Sequence, residues 1–240
     1  GVGDDLVRNY GVTASQVVTI HNPIDLDRIE QAARAEPSII LPPDCMVAVG
    51  RLVSNKNFSM LLRSYADANI GGALAILGEG PERSALTALA AGLGIADRVH
   101  MPGFAANPHA IVGQASFYVS SSNAEGFPNA MLEAMCVGRP VVATDCDSGP
   151  SEILQDRAGA QKVSTLTEAA YGVLVPTNDE SAMSAGLRIM TNPEARARFA
   201  VAARSRARDF ALEHAIAQYK AVISSVLTVP RFRKWPAESL

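Results

Sequence analysis

The chain has 240 residues, a formal net charge of −3, and 48% hydrophobic residues. This length allows one large or two small domains, and the charge does not fit the basic footprint of a nucleic-acid-binding protein. No run of about 18 apolar residues predicts a membrane-spanning helix, and we expect no signal peptide. The three cysteines lack metal-ligand spacing, and two lie in apolar runs, which predicts small core residues in a reducing, cytoplasmic compartment.

The first 24 residues predict a helix at 1–12, a short strand at 17–20 and a turn at His21-Asn22-Pro23. They contain no complete β-α-β unit. His21 either lines a cleft or is simply exposed, and we expect exposure because that is the commoner state of a turn histidine.

From residue 25 onward, predicted strands and helices alternate, which indicates a parallel sheet covered on both faces with right-handed crossovers. The predicted strands are 46–49, 73–77, 99–103, 117–120, 141–144 and 172–175. The predicted helices lie at 26–35, from 58 through 65, at 82–93, at 129–136, from near 151, and at 182–190, 194–208 and 212–227. The fold class is therefore α/β, a doubly wound, Rossmann-like sheet with helices at the C-terminal end.

The stretch 119–144 is the centre of the chemistry. An apolar run ends at Val119, a small polar turn follows, and Pro128 suits the first turn of a helix that Gly138 can end in a left-handed cap. Glu133 interrupts this otherwise apolar helix, so it either points to water or faces a polar ligand. Glu125 stands just before the helix, where free amides favour an anion. A phosphate there would lie between two carboxylates, which fits a sugar nucleotide whose hydroxyl groups contact the two acids.

Two basic residues follow the first predicted strand of the sheet. Arg51 comes directly after residues 46–50, and Lys56 follows five residues later at a helix start. Ligands of open parallel sheets bind beyond the carboxyl ends of the strands. The pair is either solvated or holds a diphosphate, and we expect the second.

Five segments together resemble, in order and spacing, the retaining GT-B glycosyltransferases of the large group-1 family (family four). The segments are GRLVSNKN (50–57), LGEGPER (77–83), PGF (102–104), EGFPNAMLEAM (125–135) and TDCDSGPSEIL (144–154), and the resemblance covers about residues 17–176. It implies transfer of a sugar from a nucleotide sugar to an acceptor hydroxyl with retention, in bacterial cell-surface polysaccharide or glycolipid synthesis.

The resemblance also implies roles for individual residues. Arg51 and Lys56 would stabilise the leaving diphosphate, Glu125 would bind hydroxyls of the donor sugar, and Glu133 would hold the ribose hydroxyls. Backbone amides near the start of the helix would add donors to phosphate, and the loop after the third strand would meet the base mainly through its backbone. The remaining donor-binding positions are Gly103, Phe104, Gly126, Phe127, Asn129 and Ala130. We expect Phe104 to belong to the core rather than to act as a stacking platform, and catalysis by Glu125, Arg51 and Lys56 to be positioning and electrostatics.

Two motifs have competing interpretations. Gly78-Glu79-Gly80 lacks the third glycine of a dinucleotide fingerprint, so a tight strand-to-helix turn is the better interpretation. Asp145-Cys146-Asp147 resembles a metal-binding Asp-x-Asp, but the family transfers sugars without a metal here, and we expect Asp145 to make loop hydrogen bonds. We treat His100, His109 and His214 as structural.

By the same resemblance, residues 1–24 are the end of a missing N-terminal acceptor domain and the hinge. Residues 25–210 are the nucleotide-sugar-binding domain, and 211–240 are a crossing helix and tail. We expect no cofactor, a UDP-sugar ahead of a GDP-sugar as donor, and a glycan or lipid-linked acceptor held by the missing domain. The tail RFRKWP (231–236) mixes basic and aromatic residues, which suits a peripheral contact at the inner face of a membrane. A non-hydrolysing nucleotide-sugar epimerase and a donor-binding module without activity remain the alternatives.

Overall fold

The computed structural model describes residues 2–155 and 162–227. The strands of this part of the chain are Met46–Val49 (β1), Leu74–Leu77 (β2), Val99–Gly103 (β3), Phe117–Ser120 (β4), Val141–Thr144 (β5), Thr167–Glu168 (β6) and Val173–Val175 (β7). Its α-helices are Val2–Tyr10 (α1), Leu26–Ala33 (α2), Phe58–Ala68 (α3), Arg83–Gly92 (α4), Pro108–Val112 (α5), Asn129–Cys136 (α6), Pro150–Leu154 (α7), Glu180–Ile189 (α8), Pro193–Ala207 (α9) and Leu212–Leu227 (α10).

The strands form one sheet in the order β3-β2-β1-β4-β5-β7-β6, parallel except for β6, which pairs antiparallel with β7. Val47 of β1 pairs with Ala75 on one side and Tyr118 on the other. The chain winds outward from β1 to β3 and then returns to β4 on the opposite side of β1. The strand order thus reverses between β1 and β4, and in such sheets the crevice at this switch point is where ligands bind.

Both faces of the sheet are buried under helices, as the nearly continuous apolar strand runs predicted. Alternate strand residues such as Val47 and Val141 pack against α6 and α9, while their neighbours Met46 and Val142 pack against α3 and α8. The predicted α/β, Rossmann-like fold with helices at the C-terminal end is confirmed.

The helix at 129–136 and the strands at 117–120 and 141–144 have the predicted bounds. Gly138 has a φ of +75°, and the amides of Gly138 and Arg139 donate to the carbonyls of Met135 and Ala134 at 2.9 Å each. These bonds satisfy the last carbonyls of α6, which confirms the predicted left-handed cap.

The strand predicted at 17–20 is wrong. Residues 17–20 are irregular, and Val18 is 61% exposed. A β-branched run becomes a strand only where it packs and pairs beside another strand, and no described strand lies alongside this run.

The short elements α5 and β6 were not predicted. In residues 2–155 and 162–227, no helix combines the length and apolarity needed to cross a bilayer. The tail at 231–236 lies outside the described residues.

Candidate functional site

The loops after β1 and β4 meet at the switch point and carry most of the predicted site. Residues Gly50 and Arg51 follow β1, and a single 3-10 turn, Ser54–Lys56, leads into α3. The Ser121 hydroxyl donates to the Lys56 carbonyl at 2.7 Å. Asn55 joins the loops twice: its side-chain amide donates to the Ala124 carbonyl and its carbonyl accepts from the Asn123 amide, both at 2.8 Å. These bonds hold the two loops in a fixed relation.

Lys56 and Glu125 form a partly buried ion pair at this junction. Lys56 Nζ lies 2.5 Å from Glu125 Oε1, and the two side chains are 25% and 14% exposed. The Ser122 hydroxyl donates to the same carboxylate oxygen at 2.7 Å. The structure therefore brings together a predicted phosphate-binding lysine and the predicted sugar-binding glutamate.

Arg51 is exposed at the edge of the site, on a loop that two glycines allow to approach β2 closely. A Cβ on Gly78, whose φ is +140°, would lie 1.9 Å from the Gly50 carbonyl oxygen. A Cβ on Gly80 would lie 2.3 Å from the Leu52 carbonyl oxygen. The Gly-x-Gly motif thus serves backbone packing in a turn between β2 and α4, which confirms the strand-to-helix interpretation.

The turn before α6 carries the predicted helix-terminus donors. Gly126 and Asn129 are exposed, whereas Phe127 and Ala130 are half-buried. The Asn129 amide already donates to the Phe127 carbonyl at 2.9 Å, so this amide is not free for a ligand in the observed conformation. Any phosphate at this end of α6 would depend on the other amides of the turn and on the helix dipole.

His21 is not simply exposed, as the sequence had led us to expect. Its side chain is 38% exposed, and its Nε2 lies 2.9 Å from Oε2 of Glu152. Its ring stacks on Phe127 with 5.3 Å between ring centroids. It also lines a cavity of about 480 Å³ together with Gly126. The rarer of the two sequence interpretations, a histidine lining a cleft, is therefore the one the structure bears out.

Glu133 lies on α6 with its side chain 33% exposed, which is compatible with contact to water and with contact to a polar ligand. Burial raises the pKa of its carboxyl above the usual range. His109 Nδ1, on the short helix α5, lies 3.9 Å from Glu133 Oε2, and burial lowers the pKa of His109. The sequence shows no ligand spacing at His109, since Glu133 lies 24 residues further along and only the packing of α5 beside α6 brings the two together.

Tyr118 is a second residue that sequence reasoning missed. It is buried on β4, and its hydroxyl lies 3.5 Å from the Val49 carbonyl oxygen. Burial and the negative charges of Glu125 and Glu133 raise the pKa of Tyr118. A polar aromatic residue in an apolar strand beside the switch point was the available signal.

Gly103 ends β3 with a φ of +96°, and its carbonyl accepts from the Gly78 amide at 2.8 Å. Phe104 is 80% exposed, so the expectation that it belongs to the core is wrong. The chain leaves the sheet at the left-handed Gly103, and the next side chain consequently projects away from the apolar layers.

The two aspartates of the Asp-x-Asp motif lie in different environments. Asp145 is buried, accepts from the Ser151 hydroxyl, and accepts from the Val163 amide at 2.7 Å, which confirms its predicted loop hydrogen bonds. Asp147 is 78% exposed and pairs with Lys162 at 2.6 Å. All three cysteines are buried free thiols, as predicted.

Residues 30–206 match the family model described as "Glycosyl transferases group 1". The chain belongs to the group 1 glycosyltransferase family. Among the curated relatives of this chain is the N-acetylgalactosamine-N,N'-diacetylbacillosaminyl-diphospho-undecaprenol 4-alpha-N-acetylgalactosaminyltransferase of Campylobacter jejuni, which is 33% identical over 187 residues. That match covers 78% of this chain and 47% of the relative, and the chain spans about half the length of the curated relatives it matches.

Solved glycosyltransferase structures share the fold of this chain. A glycosyltransferase from Rickettsia africae superposes with a TM-score of 0.79 at 15% identity, over 95% of this chain and 62% of that protein. Anabaena HepE in complex with UDP and glucose superposes with a TM-score of 0.73 at 18% identity, over 93% of this chain and 60% of HepE. At these identities the likeness shows the fold alone.

Proposed function

We propose that this chain is the C-terminal, nucleotide-sugar-binding half of a retaining GT-B glycosyltransferase, which moves a sugar from a nucleotide sugar to an acceptor hydroxyl. The observation that carries the proposal is the Lys56–Glu125 pair, with Nζ and Oε1 2.5 Å apart at the carboxyl ends of β1 and β4. A cation and a carboxylate at one point match a donor that presents a diphosphate beside sugar hydroxyls. Family membership supports the reaction class.

In the proposed donor complex the basic side chains bind the diphosphate and the carboxylates bind hydroxyl groups. Lys56 turns from Glu125 to the diphosphate and, with Arg51, stabilises the charge that develops on the leaving group. Glu125, released from Lys56, accepts hydrogen bonds from the donor sugar and orients its ring. Glu133, on the far side of the diphosphate, accepts from the ribose hydroxyls. Catalysis is then positioning and electrostatic stabilisation, without a metal ion or organic cofactor.

A UDP-sugar is the proposed donor ahead of a GDP-sugar, which the complex of HepE with UDP and glucose supports by analogy of fold. The proposed acceptor is a glycan or lipid-linked glycan. The diphospho-undecaprenol in the name of the Campylobacter relative supports a lipid-linked acceptor in bacterial cell-surface glycan synthesis. The proposed location is the cytoplasmic side of a membrane.

The acceptor would be held by an N-terminal domain outside this chain, with 1–24 as the hinge, 25–210 as the donor domain and 211–240 as the crossing segment. The chain's span of about half of its curated relatives supports this division. So does α10, which exposes a row of large apolar side chains: Leu212, Ile216, Tyr219, Ile223, Val226 and Leu227. The same observation keeps the second candidate open, a chain that holds the donor but transfers nothing by itself.

Binding and transfer measured on one preparation test the proposal. A thermal-shift panel of UDP- and GDP-sugars, on this chain and on the full-length protein, should raise Tm for one nucleotide series. Transfer should occur only with the full-length protein. Interconversion of the nucleotide sugar without acceptor would favour an epimerase, and no shift with any nucleotide in the full-length protein would contradict the proposal.

A further inference from the structure

A cluster of rings joins the segment at His21 to the turn before α6. The His21 ring stacks on Phe127 with centroids 5.3 Å apart and an interplanar angle of 28°. Phe210 packs against both rings, with its centroid 5.7 Å from His21 and 5.8 Å from Phe127. Aromatic pairs at these separations are favourable beyond the area they bury. The cluster therefore ties two segments that are distant in sequence, at His21 and Phe210, to the turn that carries Gly126 to Asn129.

Glu152 fixes the imidazole within this cluster. Its carboxylate, 17% exposed in the first turn of α7, lies 2.9 Å from His21 Nε2. A carboxylate only accepts hydrogen bonds, so Nε2 is the nitrogen that carries the proton in this contact. Arg206 of α9 is 8% exposed and donates to the Glu152 carbonyl at 2.9 Å, with its guanidinium 5.0 Å from the Phe210 ring centroid. Through Glu152 and Arg206 the imidazole is thus connected to helices α7 and α9.

The turn itself has few steric restraints where it starts. A Cβ at Gly126 would meet no atom within 4 Å. Further along, Pro128 is tightly packed, because a Cβ at Gly149 would lie 2.3 Å from its Cδ. The side-chain amide of Asn22 donates a hydrogen bond to Oδ1 of Asn129 at 3.4 Å. Phe127 lies between the sterically open Gly126 and the packed Pro128, where its ring packs against the hydrophobic core and the ring of His21 is stacked on it.

We infer that His21 is a positioning residue for donor binding. It acts through Phe127 on the turn whose amides take the donor's diphosphate, and Glu152 holds its ring in place. The inference rests on the proposed function. A binding element held in its bound geometry loses less conformational freedom when the ligand arrives, so the stack favours the diphosphate. The nucleoside contacts Glu133 and the Gly103 loop instead, and its binding does not depend on the stack.

Calorimetric titration of the full-length protein tests this inference. The ligands are UDP or GDP, whichever the wild-type protein binds, and the matching nucleoside. His21→Ala should weaken diphosphate binding by between about twofold and tenfold, the range that loss of one ring stack allows. Affinity for the nucleoside should stay at the wild-type value. His21→Phe, which restores a ring over Phe127, should recover most of the loss. His100→Ala, at an exposed histidine of β3, is the matched control and should bind both ligands as the wild type does.

Equal losses for nucleoside and nucleoside diphosphate in His21→Ala would show a merely structural role, and unchanged binding of both would show no role; either overturns the inference. If His21→Ala does not fold, Glu152→Ala takes its place, because this variant keeps the imidazole but removes the carboxylate that holds it. Wild-type affinity for the diphosphate in Glu152→Ala would overturn the inference. If the wild-type protein binds the diphosphate and the variants bind it equally well, the inference about His21 fails but the proposed function stands. A wild-type protein that binds neither ligand overturns both.

Discussion

Replacing Glu125 by glutamine should affect binding of the donor sugar differently from binding of the nucleotide. The change keeps the shape of the side chain but removes its charge and one acceptor oxygen. In the structure Oε1 of Glu125 accepts from Lys56 Nζ at 2.5 Å and from the Ser122 hydroxyl at 2.7 Å. An incoming diphosphate must draw Lys56 away from this carboxylate. Glu125 therefore competes with the ligand for Lys56 until the donor sugar gives the carboxylate hydroxyl groups in exchange.

The magnitude follows from the strengths of these bonds. A hydrogen bond to a charged group contributes about 1.5–3 kcal/mol and a neutral one about 0.5–1.5 kcal/mol, so Glu125→Gln weakens the competitor by about 1–1.5 kcal/mol. The bare nucleoside diphosphate should consequently bind as well as to the wild type or up to about tenfold more tightly. Binding of the nucleotide sugar gains the same free energy at Lys56, but it loses about as much free energy at the sugar hydroxyl groups that Glu125 binds. The ratio of the two dissociation constants, nucleotide sugar over nucleotide, should therefore rise about five- to tenfold.

Isothermal titration of the full-length protein with both ligands measures this ratio. Glu133→Gln is the companion variant, and it should weaken both ligands alike and leave the ratio unchanged, because Glu133 is assigned to the ribose. Glu36→Gln, at an exposed carboxylate, controls for the loss of one negative charge. An unchanged ratio in Glu125→Gln, or a changed one in Glu133→Gln, would refute the division of the donor between the two glutamates.

Three further predictions concern the remaining groups of the site. Arg51→Ala or Lys56→Ala should weaken nucleoside diphosphate binding by about 1–3 kcal/mol in a titration, and unchanged affinity in both variants would contradict their assignment. Donor binding should survive a chelator, because Asp145 accepts hydrogen bonds from the Ser151 hydroxyl and the Val163 amide and Asp147 pairs with Lys162. Loss of donor affinity on chelation, with recovery on adding magnesium or manganese, would contradict this prediction. Burial raises the pKa of Glu133 above its usual 4.5 in the folded state. The folded wild-type protein therefore keeps its full stability below pH 4.5 and loses stability as the pH rises through the raised pKa, because the partly buried carboxyl then ionises. The Tm of Glu133→Gln should therefore match the wild type at low pH and exceed it increasingly towards neutral pH, and a lower Tm at neutral pH would show a carboxylate satisfied by the protein itself.

The sheet and its loops were predictable because their signals are local. Apolar runs bounded by glycine and polar turns gave β1, β4 and β5 their bounds, and an apolar helix between Pro128 and Gly138 was predicted to the residue. The strand at 17–20 failed for the opposite reason. Its propensity is local, but a strand exists only with a partner, and the alternation of residues does not say whether one is available.

The partners within the site were not predictable, since they depend on which strands are neighbours. Lys56 and Glu125 are 69 residues apart in sequence and meet only because β4 lies beside β1. His109 reaches Glu133 through the packing of α5 beside α6, and α5 is a five-residue helix without a clear periodic signal. Phe104 was misjudged because its residue type indicates a core position, whereas the left-handed Gly103 before it turns the chain outward.

A crystal structure of the full-length protein with its nucleotide-sugar donor tests the central claim most directly. The account predicts the diphosphate within hydrogen-bonding distance of Lys56 and of amides at the start of α6. It also predicts the sugar hydroxyls at Glu125 and the ribose at Glu133. A donor bound elsewhere, with Lys56 still paired to Glu125 and neither glutamate touching the ligand, would contradict it.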